Sequence, residues 1–192
     1  MPQKTTGPYP APQDSFAHCP HCGIPASPDR KPRSFVCAAC GFVLYFNIAC
    51  AVGGLIVDQT GRLLLVRRAK GPSQGLLALP GGFVDPGETA EEALRREVRE
   101  EVGLSVEIAA AIGSHQNAYS YKGITYPVLD FFYVCRTAGP VGNAADLTLQ
   151  AAEVAGCEWR DPAGIQAHEI AFPSMHWAVE RFRDSARLTA PR

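Results

Sequence analysis

The sequence contains no apolar run approaching the ~18 residues that a membrane-spanning helix requires. It has no basic excess either: 18 Lys and Arg stand against 19 Asp and Glu, for a formal net charge of −1. A chain that grips nucleic acid or an anionic membrane through its general surface usually carries such an excess, so neither is expected as a partner. The opening stretch MPQKTTGPYPAPQD lacks the apolar segment of a secretory signal, and none is expected. Internal repeats are absent. The seven cysteines cannot all pair, whereas an extracellular disulfide framework would usually pair everything. Reduced thiols and a cytoplasmic location follow as the expectation.

What is present suits a globular protein. The 192 residues are 46% hydrophobic and 19% charged, with a mean hydropathy of −0.04, enough for one ordinary domain and a small appendage. Residues 1–17 are proline-rich and apolar-poor, and read as a disordered tail. Residues 18–47 form a second unit, too short for a hydrophobic core of its own. Two C-x-x-C pairs, Cys19/Cys22 and Cys37/Cys40, bracket fourteen residues within it. Four thiolates so spaced suit one tetrahedral Zn²⁺, with Gly23 and Gly41 letting the chain turn after each pair. Such a zinc ribbon has no open coordination position, so its ion is structural. A redox C-x-x-C needs only one pair, set before a helix, and neither pair is so placed.

From residue 48 to 192 the pattern is that of a larger domain. IACAVGGLIVD and RLLLVRR read as a hairpin about Thr60-Gly61, with a short strand at Leu76–Leu79. Thr89 to Val102 is the clearest helix. Thr89 and Glu92 make a capping box, Ala90, Leu94, Val98 and Val102 form an apolar stripe, and Gly103 caps the end. LSVEIAAAIGS, ITYPVLDFFYVC and EVAGCEWR read as strands, and Ser174 to about Leu188 as a final helix with Ser174 at its N-cap. The order suggests a mixed α/β or α+β sheet domain.

The informative segment is GFVDPGETAEEALRREVREEVGL, Gly82 to Leu104. On a helix, with Glu97 at zero, Glu100 falls at about −60° and Glu101 at about +40°, so three carboxylates share one edge beside the apolar stripe. An ordinary surface helix avoids such repulsion. A hard divalent ion, Mg²⁺ or Mn²⁺, relieves it and bridges to substrate phosphates. Arg96 can hold a carboxylate in place, and the LPGG turn, including Gly81 and Gly82, brings backbone close.

Gly82, five residues, Glu88, seven residues, then Arg96-Glu97-Val98-Arg99-Glu100-Glu101-Val102-Gly103-Leu104 resembles, position for position, the Nudix box. The resemblance implies an α/β/α sandwich with a mixed sheet. It implies Mg²⁺-dependent hydrolysis of a nucleoside diphosphate linked to another moiety, to a nucleoside monophosphate and a phosphorylated product. Glu97, Glu100 and Glu101 match the metal ligands, Arg96 and Glu88 the supporting positions, and Gly82 the loop glycine. The base in the family is either a box glutamate or one from a later loop, where Glu153 stands in outline. Arg67 and Arg68, at a strand end, are candidates for substrate phosphate. A homodimer is the default for the resemblance.

A ribbon ahead of a Nudix domain resembles two groups. NADH pyrophosphatases and NAD-cap removers carry Ser-Gln-Pro-Trp-Pro-Phe-Pro after the box, and this chain has SHQNAYSYKGITYP instead. The preferred group is therefore the one resembling ADP-ribose and FAD pyrophosphatases. NADH or NAD-cap hydrolysis is one alternative, and a non-catalytic nucleotide- or RNA-sensing regulator is another.

Overall fold

The computed structural model describes residues 15–26, 34–139 and 141–189. The tail expected over residues 1–17 lies outside the described residues up to residue 14. Spatial proximity divides the chain into two units. One holds the described residues up to Ala49 together with Ala118–Val128; the other holds Cys50–Asn117 and the described residues from Leu129 onward.

In the first unit, β1 (Ser34–Val36) and β2 (Val43–Tyr45) pair antiparallel, with Phe35 opposite Leu44. Cys19, Phe35 and Cys37 form a buried apolar cluster beside these strands, with Ala26, Phe42, Leu44 and Phe46 packed against it. So small a cluster supplies little hydrophobic stabilisation, as expected of a segment that needs a metal staple.

The second unit is built on a six-stranded mixed sheet. The strands of that sheet are β3 (Ala49–Val57), β4 (Leu63–Arg68), β5 (Leu77–Ala78), β6 (Val106–Tyr121), β7 (Ile124–Thr137) and β8 (Val154–Arg160), of which Ala49 and the β6–β7 stretch Ala118–Val128 are counted with the first unit. The strand order is β5-β4-β3-β7-β6, with β8 also paired to β4. Alternation along β4 sends Leu64 and Val66 to one face and Leu63 and Leu65 to the other. Helix α1 (Ala90–Val102) covers the first face through Ala93, Leu94, Val98 and Val102, all fully buried. Each of the larger three contributes roughly 2 kcal/mol by leaving water. Helix α2 (Pro173–Thr189) covers the second face through Ala178 and Val179, against Leu55, Leu63, Leu65 and Phe132. The α/β/α layering is the one expected. So are the capping box of Thr89 and Glu92 and the left-handed Gly103 that ends α1.

Two local readings change. The strand expected over LSVEIAAAIGS runs on to Tyr121, through the polar His115-Gln116-Asn117, because its hairpin with β7 supplies the partner. Lys122 and Gly123, with φ of 46° and 80°, make the tight turn. Ser174 does not cap α2: the helix begins at Pro173, whose missing N–H suits a first turn. Its hydroxyl is fully buried and donates to Asp130 Oδ2 at 2.5 Å, and Asn117 Nδ2 donates to the same oxygen at 2.9 Å.

Burial raises the pKa of Asp130 against the lowering pull of those two donors. Its ionised form therefore weighs against folding at high pH, and that burden lifts as pH falls through the raised value. Asp130→Ala is expected to cost about 1–3 kcal/mol by taking the acceptor from the buried Ser174 hydroxyl and from the half-buried Asn117 amide. Asp130→Asn keeps an oxygen for both and should cost less. Denaturant unfolding should show the Asn variant gaining on wild type as pH rises.

Candidate active site

The acidic edge of α1 is graded by its angle to the apolar stripe. Glu101, nearest the stripe, is 8% exposed. The Glu97 side chain is 15% exposed and that of Glu100, farthest round, 50%. The Leu79–Gly82 turn passes over this edge. The Gly81 N–H donates to Glu101 Oε2 at 3.0 Å. Gly81 has φ 145°, and a Cβ there would strike the Val52 carbonyl; a Cβ on Gly82 would strike the Glu97 carboxylate. Only glycine allows backbone so near both carboxylates.

Arg96 organises the outer half. Its guanidinium meets Glu88 Oε1 at 2.6 Å, Glu97 Oε1 at 2.9 Å and Glu100 Oε2 at 3.4 Å, and it donates to the Phe83 carbonyl at 3.1 Å. Asp85 lies 3.8 Å away. Hydrogen bonding from Arg96 holds Glu88 below its ordinary pKa. Glu97 moves the other way: burial raises it, Arg96 opposes, and the charges of Glu100 and Glu153 add to the rise. Burial likewise pushes Glu101 up to about 8, against the Gly81 N–H and with the help of Glu97 and Glu153.

Among the described residues, the four cysteines are the one group of three or more ligands whose atoms all lie within 4.8 Å of one another. The α1 carboxylates are spread wider than that, with Arg96 drawn between Glu97 and Glu100. Hard oxygen donors with repelling, partly desolvated charges still suit Mg²⁺ or Mn²⁺, which take one or two carboxylates and fill the rest of the shell with water and phosphate oxygen.

The remaining expected positions are dispersed. The backbone N–H of Ala69 donates to the Glu153 carbonyl, which brings Glu153 beside the end of β4, and its carboxylate pairs with Lys70 at 2.9 Å. A bulge separates Arg67 from Arg68 in the ladder with β8. Arg67 donates to the Gly75 carbonyl at 2.8 Å and pairs with Glu158 at 3.1 Å. It lines a cavity of about 280 Å³ with Leu77, Gly156, Cys157 and Glu158. Arg68 lies 5.1 Å over the Phe172 ring, and its charge reaches Glu101. Sequence reasoning missed Lys70 and Asp85 as partners of the site. Nothing in the sequence links Lys70 to a glutamate 83 positions away.

The cysteines meet a sharper test. Tetrahedral Zn–S bonds of ~2.3 Å place sulfurs about 3.8 Å apart. Cys19 and Cys40 stand at 3.9 Å, and Cys22 and Cys37 at 3.7 Å. Gly23 and Gly41, with φ of 74° and 75°, turn the chain after each pair, as their sequence positions suggested. The Cys40 backbone N–H, joined by that of Ala39, draws the Cys37 thiol down to about 6. Cys40 is pushed up to about 12 by burial and the neighbouring sulfurs, although the Phe42 N–H lowers it. Four crowded sulfurs ionise together only around a cation, and this set fits Zn²⁺.

Comparison with known proteins agrees with this geometry. The family model described as NUDIX domain matches residues 48–178. An ADP-ribose pyrophosphatase of Methanocaldococcus jannaschii is 43% identical over 74 residues, 38% of this chain and 43% of that protein. An NAD-capped RNA hydrolase NudC of Deinococcus radiodurans is 40% identical over 182 residues, 92% of this chain and 59% of that protein. The chain thus spans less than two thirds of the length of these relatives. The crystal structure of a NUDIX hydrolase from Nitrosomonas europaea superposes with a TM-score of 0.71 at 24% identity, covering 92% of this chain and 95% of that one. That likeness is one of fold. No helix among the described residues is long and apolar enough to cross a membrane.

Proposed function

The chain belongs to the Nudix family, and from that premise we propose that it hydrolyses the pyrophosphate of a nucleoside diphosphate joined to a second moiety, of the ADP-ribose or FAD kind. The observation that carries the reading is the graded acidic edge of α1 beneath the Gly81–Gly82 turn. Glu97, Glu100 and Glu101 would hold Mg²⁺ or Mn²⁺ there, and Arg96 and Glu88 would fix the edge. A bound divalent ion would neutralise phosphate oxygens and ease deprotonation of the attacking water. Water attacks one phosphorus in line, the bridging P–O bond breaks, and a carboxylate, Glu153 or a box glutamate, takes the water's proton. Arg68 and Arg67 supply positive charge for substrate phosphate, and the backbone of Gly81 and Gly82 closes on the site.

The remaining parts of the reading are organisational. Residues 18–47 act as a structural zinc ribbon on Cys19, Cys22, Cys37 and Cys40, and residues 48–192 as the hydrolase domain. The protein works as a homodimer in the cytoplasm, where thiols stay reduced.

A second reading, hydrolysis of NADH or NAD-capped RNA, is favoured by the Deinococcus relative, whose match covers both the ribbon and the box. The SHQNAYSYKGITYP segment weighs against it. The test is kcat/KM for ADP-ribose, FAD, NADH and NAD-capped RNA with Mg²⁺, with products identified by mass spectrometry. Preference for ADP-ribose or FAD upholds the first reading. Preference for NADH or capped RNA transfers the assignment to the second. Absence of turnover on all four, with salt-sensitive RNA binding, replaces both with a sensor.

A further inference from the structure

Resting on the hydrolase reading, we propose that Lys70 is a positioning residue which, by pairing with Glu153, sets how much of that carboxylate's charge reaches the divalent-ion site on α1. A continuous chain of contacts links the two places. The Glu101 carbonyl, in the last turn of α1, accepts the Gln150 N–H at 3.1 Å, and the Gln150 carbonyl accepts the Glu153 N–H at 2.9 Å. On the other side, the Glu153 carbonyl accepts the Ala69 N–H at 2.8 Å. The next residue places Lys70 Nζ 2.9 Å from Glu153 Oε1. The backbone of Glu153 is therefore anchored from both sides, and its carboxylate answers to its side-chain partner.

The placement has an electrostatic consequence. Glu153 is charge-coupled to both Glu97 and Glu101. The ion pair itself adds little stability, because Lys70 is 62% and Glu153 41% exposed. Its effect falls on the neighbours: the ammonium holds the Glu153 carboxylate at Lys70, and without it that carboxylate would turn towards the ion and add its charge to the attraction. Lysine suits the task, being a compact charge on a flexible stem able to leave the carboxylate when substrate phosphate arrives.

The experiment titrates Mn²⁺ into the zinc-loaded full chain and counts free ion by electron paramagnetic resonance. Thiolates prefer Zn²⁺, so the ribbon does not compete for Mn²⁺. Lys70→Met is expected to tighten Mn²⁺ binding about two- to fivefold, and Glu153→Gln to weaken it by about as much, as suits one charge acting near the surface. Lys70→Arg should keep wild-type affinity, and Lys70→Met should change nothing once Glu153 is Gln. The proposal is overturned if Lys70→Met leaves affinity unchanged, or shifts it equally in both backgrounds. Hydrolysis assays on the same samples separate the two claims. Coupled Mn²⁺ affinities without turnover of any diphosphate defeat the hydrolase reading alone, and turnover without the coupling defeats the Lys70 proposal alone.

Discussion

On the proposed mechanism, Glu101→Gln is expected to lower kcat for diphosphate hydrolysis by about 10³-fold or more while the protein stays folded, since it would remove a charged ligand of the ion that meets the developing phosphate charge. The size of the effect comes from position. Glu101 is the most buried carboxylate of the edge, and its charge is tolerated there only beside a cation. The fold survives because glutamine keeps an oxygen for the Gly81 N–H, and because replacing a carboxyl that burial pushes up to about 8 removes a cost. The melting temperature without added metal should be unchanged or higher. Glu100→Gln, on a half-exposed side chain, should lose activity in the same direction with no change in stability. Glu97→Gln is a less clean test, because Glu97 also partners Arg96. Steady-state rates beside thermal melts of the three variants decide the matter. More than a tenth of wild-type kcat in both Glu100→Gln and Glu101→Gln would remove the edge from the mechanism.

The second large effect concerns the thiolate site. Removing zinc, or replacing Cys37 by Ala, is expected to unfold the ribbon. Structural zinc supplies on the order of 10 kcal/mol or more, and an apolar cluster of three buried residues cannot substitute for it. Native mass spectrometry should find one zinc per chain in wild type and none in the variant. Hydrogen exchange should show the β1–β2 amides losing protection, while those of β3 and β4, in a unit with its own large core, keep theirs. Stoichiometric zinc in the Cys37 variant, or β1–β2 protection that survives chelation, would contradict this account.

What could be read in the sequence was whatever the chemistry keeps local. The carboxylates of α1 sit three and four residues apart, so helical spacing alone puts them on one edge and ranks their burial by distance from the apolar stripe. The cysteine pairs are local as well, and their spacing already implied four sulfurs around one ion. Ser174 was misread because a serine before an apolar run has the same local signature whether it caps a helix or sends its hydroxyl to a buried carboxylate 44 positions away. Arg67 and Arg68 look equivalent in sequence; a bulge in the β4–β8 ladder gives them different partners. The far end of β6 was missed because pairing with β7, and not its own polar residues, makes it a strand. The position of Arg96 between Glu97 and Glu100, and of Lys70 on Glu153, depends on the tertiary fold, to which composition and spacing are blind.

The most direct test of the central claim is ³¹P relaxation in the α,β-methylene analogue of ADP-ribose, with Mn²⁺ bound to the zinc-loaded protein. If the α1 edge holds a divalent ion against the diphosphate, both phosphorus signals should broaden strongly with wild type, and the broadening should largely vanish with the Glu97, Glu100 and Glu101 triple Gln variant. Equal broadening with the two proteins, or none with wild type under saturating analogue and Mn²⁺, would contradict it.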